Sequence, residues 1–151
     1  GQATYGGLDA GGRVTCAIEP AVQRAACWGQ VAGVGSATAT GSAPVRVQLD
    51  VDLNAVSSGG TSACALTVSG LARCWGSNAS GQLGITGSAT ESRTPVPVAG
   101  DLVFTSISVG GAHACAITSL LQTFCWGRND GGQLGLGSAS ATPVRTPTRV
   151  S

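Results

Sequence analysis

The chain has 151 residues, the length of one ordinary domain. Charged residues make up only 10% of it, against about 25% in a typical domain, and the net charge is +1. With no Lys and no basic cluster it offers nucleic acid no electrostatic footprint, and no apolar run approaches the roughly 18 residues of a membrane helix.

In chain order the patterning is all-β and repeats three times. A first strand covers residues 5–10, 53–58 and 104–109, with Tyr5, Leu53 and Phe104 equivalent, as are Leu8, Val56 and Ile107. Those two positions lie three apart, which strict alternation cannot turn to one core, so a bend or bulge is expected in each. Gly-Gly then turns the chain at Gly11–Gly12, Gly59–Gly60 and Gly110–Gly111. A second strand carries the first Cys of each copy (residues 14–18, 63–67 and 114–118), and a third carries Cys-Trp (25–28, 71–75 and 122–126). Between them the middle copy reads Thr67-Val68-Ser69-Gly70-Leu71, which suits a three-residue hairpin loop with Gly in the left-handed position. In the last copy Leu120 and Leu121 replace that turn, and a less regular hairpin is expected.

After Trp comes a Gly-rich link, 76–84 and 127–135, shortened in the first copy to 29–33. Small-residue stretches follow at 36–42, 87–92 and 138–142. A last strand closes each copy at 44–47, 95–98 and 147–150; its prolines remove ladder donors and make it an edge strand. The units run roughly 1–51, 52–102 and 103–151, four short strands each.

The six cysteines pair by repeat: Cys16 with Cys27, Cys64 with Cys74, Cys115 with Cys125. Their even number and repetition favour disulfides in an oxidising compartment. The hairpin would set Cys64 opposite Cys74 on adjacent antiparallel strands. Zinc and free thiols compete with this reading, but there is no CxxC and His113 is the sole histidine. A chain without Met is expected to be a processed or excised product, and the lack of a signal peptide fits a mature secreted form.

Gly-Gly-Ala-His-Ala-Cys-Ala-Ile followed by Cys-Trp-Gly-Arg-Asn-Asp-Gly-Gly-Gln-Leu-Gly-Leu-Gly resembles the repeat of the regulator of chromosome condensation family, in its Cys-bearing, bacterial secreted form. The resemblance covers essentially the whole chain. It implies a β-propeller built of four-stranded blades, three of them in this chain, where the family's propellers commonly have seven. The family includes an exchange factor for a small GTPase and a secreted inhibitor of β-lactamases, but no residue here matches the loops that carry those activities. The first copy departs most: it lacks the Asn-x-x-Gly segment and has Arg13-Val14-Thr15 where the last has Ala112-His113-Ala114.

Each chemical motif has a structural counterpart reading. His113 could be a catalytic base, but it follows a turn and no Ser or Cys nucleophile sits in a motif of its own, so no catalytic residue is assigned. Trp28, Trp75 and Trp126 could form a stacking ring for a ligand; a large aromatic after a cysteine in every unit reads better as core or inter-blade packing. The run 132–137 is Gly-rich without a βαβ context and marks a turn. Asn78-Ala79-Ser80 is a glycosylation sequon inside a repeated turn. Asp50 and Asp101 align and could help bind Ca²⁺, but read better as turn residues.

The expectation is a secreted, non-enzymatic structural module that needs neither metal nor cofactor and builds an extracellular multimer from copies of itself. Val150 aligns with Val98 and Tyr5 with Phe104, so Gly1 follows Ser151 in repeat phase. Three blades are fewer than the four to eight that close a propeller, so copies joined head to tail through terminal blades would form a ring or a filament. The alternative is a binding module, such as an inhibitor or adhesion module, that presents the links 31–40, 86–93 and 138–145 to another protein.

Overall fold

The computed structural model describes residues 4–29 and 42–151. Its strands form three four-stranded antiparallel sheets, each a meander in sequence order. The first sheet holds β1 (Gly6–Gly11), β2 (Val14–Glu19), β3 (Arg24–Gly29) and β4 (Val45–Arg46). The second holds β5 (Leu53–Gly59), β6 (Ser62–Thr67), β7 (Ala72–Ser77) and β8 (Glu91–Pro97). The third holds β9 (Phe104–Val109), β10 (His113–Thr118), β11 (Thr123–Asn129) and β12 (Ser140–Arg149). These are the blades of a β-propeller. The proline-bearing strands β8 and β12 lie at sheet edges, where a missing N–H leaves no ladder bond unmade.

Each first strand contains one register shift, at Gly6/Leu8, Leu53/Ala55 and Phe104/Ser106 against its neighbour. The shift reconciles apolar positions three apart with a single buried face. The small-residue stretches are less of a link than the sequence suggests. Glu91 and Ser92 open β8, and 140–142 open β12, because Ser and Thr suit an exposed edge as well as they suit a loop. The stretch 36–41 and the shortened link beyond Gly29 lie outside the described residues.

The last hairpin also differs from expectation, since it is as regular as the middle one. Thr67 N–H donates to Leu71 O at 3.0 Å and Gly70 N–H to Thr67 O at 2.8 Å. Thr118 N–H donates to Gln122 O at 3.0 Å and Leu121 N–H to Thr118 O at 2.9 Å. Leu121 itself adopts the left-handed conformation, at φ 59°, that Gly70 adopts at 83°. The Thr hydroxyl accepts from the N–H four residues on in both turns, which helps hold a leucine where glycine is preferred.

The core lies between sheets. Cys16, Ile18, Ala25 and Cys27 of the first blade pack with Leu53, Ala63, Ala65 and Trp75 of the second. Cys64, Leu66, Ala72 and Cys74 of the second pack with Phe104, Ala114, Ala116 and Trp126 of the third. Alternation along each strand thus gives a blade two faces. The disulfide face meets the following blade, and the Ala/Trp face meets the preceding one.

The Gly-Gly pairs do more than turn the chain. A Cβ on Gly11 would lie 2.2 Å from Ser58 O, and one on Gly59 would lie 2.4 Å from Gly110 O. One on Gly12 would lie 2.7 Å from Gly60 Cα, and one on Gly60 would lie 2.0 Å from Gly111 O. Backbone meets backbone where the blades converge, so any side chain there would force them apart. The last pair is the exception: a Cβ on Gly110 would meet the His113 ring of its own blade, and that on Gly111 would be in open space, with φ outside the left-handed region.

Gly60→Ala therefore combines left-handed strain at φ 51° with a backbone clash, and is expected to lower stability by about 2–4 kcal/mol. Gly111→Ala should change it by less than about 0.5 kcal/mol. Urea unfolding of the two variants beside the parent checks both.

Candidate functional site

The most elaborated arrangement in the molecule is the joint between blades, made three times over at different radii. Near the axis a polar ladder crosses the first strands. Asp9 Oδ2 accepts from the Ser57 hydroxyl at 2.8 Å and from Ser58 N–H at 2.7 Å. Ser57 Oγ in turn accepts from Val109 N–H at 3.0 Å. Residue for residue, Asp9, Ser57 and Ser108 are equivalent, so each of the first two blades offers an acceptor to a backbone N–H of the blade that follows.

A second contact lies at the hairpin ends. Leu53 N–H donates to Gln23 O at 3.0 Å, and Phe104 N–H donates to Gly70 O at 2.8 Å. Gln23, like Leu121, takes the left-handed conformation without being glycine, at φ 50°. Thus all three hairpins present a carbonyl from a left-handed residue at the same place.

The third contact is a seat for tryptophan. After β7 the chain makes a tight loop around Asn78, whose Oδ1 accepts from Leu83 N–H at 3.0 Å and whose Nδ2 donates to Ala89 O at 2.7 Å. The loop turns Gln82 O outward to accept from Trp126 Nε1 at 2.9 Å. A Cβ on Gly84 would lie 2.8 Å from that same nitrogen, so glycine there is what lets the indole in. Phe104 lies against Trp126 with ring centroids 6.2 Å apart, and both rings are buried. The loop after β11 repeats this build: Asn129 Oδ1 accepts from Leu134 N–H at 3.2 Å and Asn129 Nδ2 donates to Ser138 O at 2.9 Å.

Where no joint is made, the same positions are open. Tyr5 and Trp28 form the first blade's version of the aromatic pair, centroids 6.0 Å apart. Tyr5 is 38% exposed where its equivalent Phe104 is 3% exposed, and Trp28 is half-buried where Trp75 and Trp126 are fully buried. On the third blade Ile117 is 38% exposed, while its equivalents Ile18 and Leu66 are covered. Gln133 and Gly135 are exposed where Gln82 and Gly84 are buried. Leu120 and Leu121 stand out at the hairpin tip, Leu121 84% exposed.

The remaining sequence motifs find structural surroundings. Cys16 bonds Cys27, Cys64 bonds Cys74 and Cys115 bonds Cys125, each across directly paired residues of adjacent strands. His113 lays its ring on Gly110, whose Cβ position is 2.3 Å from the imidazole Cε1. Asn78 is fully buried with both side-chain atoms engaged, so the sequon is closed to glycan addition in the folded chain. Asp50 lines a shallow surface cleft with Arg24 and Arg46, and Asp101 sits in a turn at φ 49°. Among the described residues no three His, Cys, Asp or Glu side chains converge. At the surface, Asp130 accepts from Arg128 and from Gln133; chiefly the Arg128 hydrogen bond holds its carboxyl below the usual range. The Glu19 carboxylate raises the Arg46 guanidinium in the same way. Sequence reasoning missed Gly84, Gln82 and the Asp9 ladder. The recurrence of Gly-Gln-Leu-Gly was visible, but its inter-blade role depends on a tryptophan more than forty residues away.

Residues 70–117 and 122–151, more than half of the chain, match the Regulator of chromosome condensation (RCC1) repeat, and residues 54–82 match a second description of it. The chain belongs to this repeat family. It is 33% identical over 107 residues to the probable E3 ubiquitin-protein ligase HERC6 of Homo sapiens, covering 68% of this chain and 10% of that protein. It is 35% identical over 89 residues to the ultraviolet-B receptor UVR8 of Arabidopsis thaliana, covering 58% of this chain and 20% of that protein. The chain thus spans a tenth to a fifth of these curated relatives. Its fold is that of Prp20p from Saccharomyces cerevisiae, with a TM-score of 0.86 at 19% identity over 97% of this chain and 38% of that one. The ectodomain of the Physcomitrella patens receptor kinase CR4 aligns at a TM-score of 0.58 and 26% identity, over 85% of this chain and 31% of that one.

Trp75→Ala removes a fully buried indole from the first joint and is expected to cost about 3–5 kcal/mol in a denaturant melt. Peptide mapping without reductant should yield three linked pairs, each within one blade. Any peptide joining cysteines of two blades would contradict the pairing.

Proposed function

We propose that this chain is a non-enzymatic, secreted structural module whose blades associate end to end into an extracellular multimer, as a closed ring or a filament. The observation that carries this reading is the pair of open faces. The first blade exposes Tyr5 and Trp28, the side that enters a joint, and the third exposes Ile117, Gln133 and Gly135, the side that receives one. A contact between two different patches of one chain is heterologous, and it either closes by rotation or propagates. Secretion is supported by the three disulfides, which persist in oxidising compartments. The described residues have no helix long and apolar enough to cross a membrane. A non-catalytic role is supported by the fate of the polar groups along the axis. The groove of about 470 Å³ there is lined by Asp9, Ser57, Ser58 and Ser108, and the first three are engaged in holding blades together.

A second reading is favoured by a separate observation. Val22, Val68, Leu120 and Leu121 are exposed apolar residues at the tips of equivalent hairpins, a series suited to binding a different protein. The Prp20p structure was described together with that protein's binding to Gsp1p and histones. In this reading the links 86–93 and 138–145 would widen the contact surface; the link 31–40 lies outside the described residues.

Light scattering and sedimentation velocity distinguish the two. The first reading expects species of at least twice the chain mass whose share rises with concentration. A folded monomer at high micromolar concentration overturns it. A monomer that captures a partner and loses it on Val68→Asp with Leu120→Asp would establish the second.

A further inference from the structure

We infer that the middle blade carries a site for a basic peptide segment of another protein, in which Arg73 donates to a main-chain carbonyl of that segment and Asp50 and Asp101 take its cationic side chains. The site deepens the protein-binding reading and rests on it, not on self-assembly. The middle blade packs on a blade at each side, so its hairpin end is bounded on both flanks by the chain itself.

Arg73 stands on β7 opposite Ala65 and Pro97. Its equivalents in the other blades are Ala26 and Phe124, so stacking of the repeat does not call for a cation here. The residue is half-buried, and its Nε lies out of reach of solvent with no acceptor. None of the ion pairs among the described residues includes it. A guanidinium that has given up part of its water without gaining an acceptor costs stability. A ligand carbonyl at its terminal nitrogens would offset that cost.

Arg73 lines two clefts of this blade. One, of about 360 Å³, runs between the hairpin tip and the link from the first blade, with Asp50, Val51 and Val68 in its walls. The other, of about 40 Å³, lies beside the link to the third blade, with Asp101 in its wall. Both links are fastened to the hairpin: Val68 N–H donates to Asp52 O at 3.0 Å, and Phe104 N–H donates to Gly70 O at 2.8 Å. The walls therefore stand in place before a ligand binds.

Charge selects the ligand. Asp52 is paired with Arg24 at 2.6 Å, but Asp50 and Asp101 are exposed and outside every ion pair among the described residues. The clefts thus hold two unpaired carboxylates to one unpaired guanidinium. A free carboxylate would meet two repulsions for one attraction, and a simple cation would leave Arg73 unmet. A polypeptide with Lys or Arg brings both neutral carbonyl acceptors and cations. Val51, Val68 and Val103 stand exposed beside these polar groups and would pack its aliphatic side chains or the stems of its Lys and Arg.

The test uses the whole chain and an array of random capped octapeptides, with affinities of the selected peptides read by fluorescence anisotropy. The parent is expected to select peptides with at least two Lys or Arg around an aliphatic residue. Arg73→Leu should weaken binding of the best of them about tenfold, the loss of a hydrogen bond from a charged donor. Arg73→Ala, with the residue that the first blade has there, should bind as weakly. Asp50→Asn with Asp101→Asn should weaken binding about fivefold and flatten its dependence on salt. Thermal melts separate this from a structural role: Arg73→Leu should melt at or above the parent temperature, because an unsatisfied guanidinium is gone. A clear fall in melting temperature for both Arg73 variants makes the residue structural and overturns the inference. Selection of Asp or Glu peptides, or of no peptide at all, overturns it too. If peptides are selected but both Arg73 variants bind them as the parent does, this site fails, and the protein-binding reading stands where Val68→Asp with Leu120→Asp still abolishes partner capture.

Discussion

The architecture depends on backbone meeting backbone at the axis. At Gly11, Gly12, Gly59 and Gly60 the neighbouring blade's main chain occupies the space a Cβ would need. Blades that touch along their first strands must diverge outward, and the space between them widens with distance from the axis. The sequence fills that wedge strand by strand: glycine at the innermost turn, alanine at Ala63, Ala65, Ala114 and Ala116 on the second strands, and then Trp75 and Trp126 on the third. A side chain at the centre or a small residue at Trp126 would each spoil the taper, in opposite senses.

Such a wedge buries little per residue, and this chain is only 4% aromatic. The disulfides sit where that shortage is felt. Each links β-strands that are already neighbours, so it fixes no long-range topology. It closes a loop of about ten residues, contributing roughly 2–3 kcal/mol on the entropic model. It also makes a compact apolar block on the face that receives the next blade, with Cys64 and Cys74 fully buried there. Bridging within blades and packing between blades are thus done by the same residues. Burial of Asn78 and Asn129 completes the arrangement by rigidifying their two loops, the first of which Trp126 enters.

Much of this was legible in the amino-acid sequence, because repetition supplied what a single copy could not. Three aligned Gly-Gly and Cys-Trp-Gly phrases gave strand order, pairing of Cys64 against Cys74 and the edge position of the proline strands. Local chemistry misled at Leu120–Leu121, where the regularity of the turn comes from Thr118 and the backbone rather than from a glycine. It misled again at 140–142, where Ser, Ala and Thr read as a link and pair as a strand. The joint itself was hidden for a different reason. Its partners are roughly thirty to fifty residues apart, and several are backbone carbonyls, which leave no trace in residue identity. Trp28, grouped by sequence with Trp75 and Trp126, differs from them in burial because burial here is a property of the adjacent blade and not of the residue.

The joint also has a direction. At the inner strand, the hairpin end and the indole seat, the later blade donates and the earlier blade accepts: Val109 N–H to Ser57, Phe104 N–H to Gly70, Trp126 Nε1 to Gln82. Two contacts run the other way, Arg13 N–H to Gly60 O and Arg24 to the Asp52 carboxylate, and they lie at the turn and at the exposed margin. Within the chain that polarity gives the joint one sense: the second blade enters the first, and the third enters the second, as donors at the inner strand and at the hairpin end.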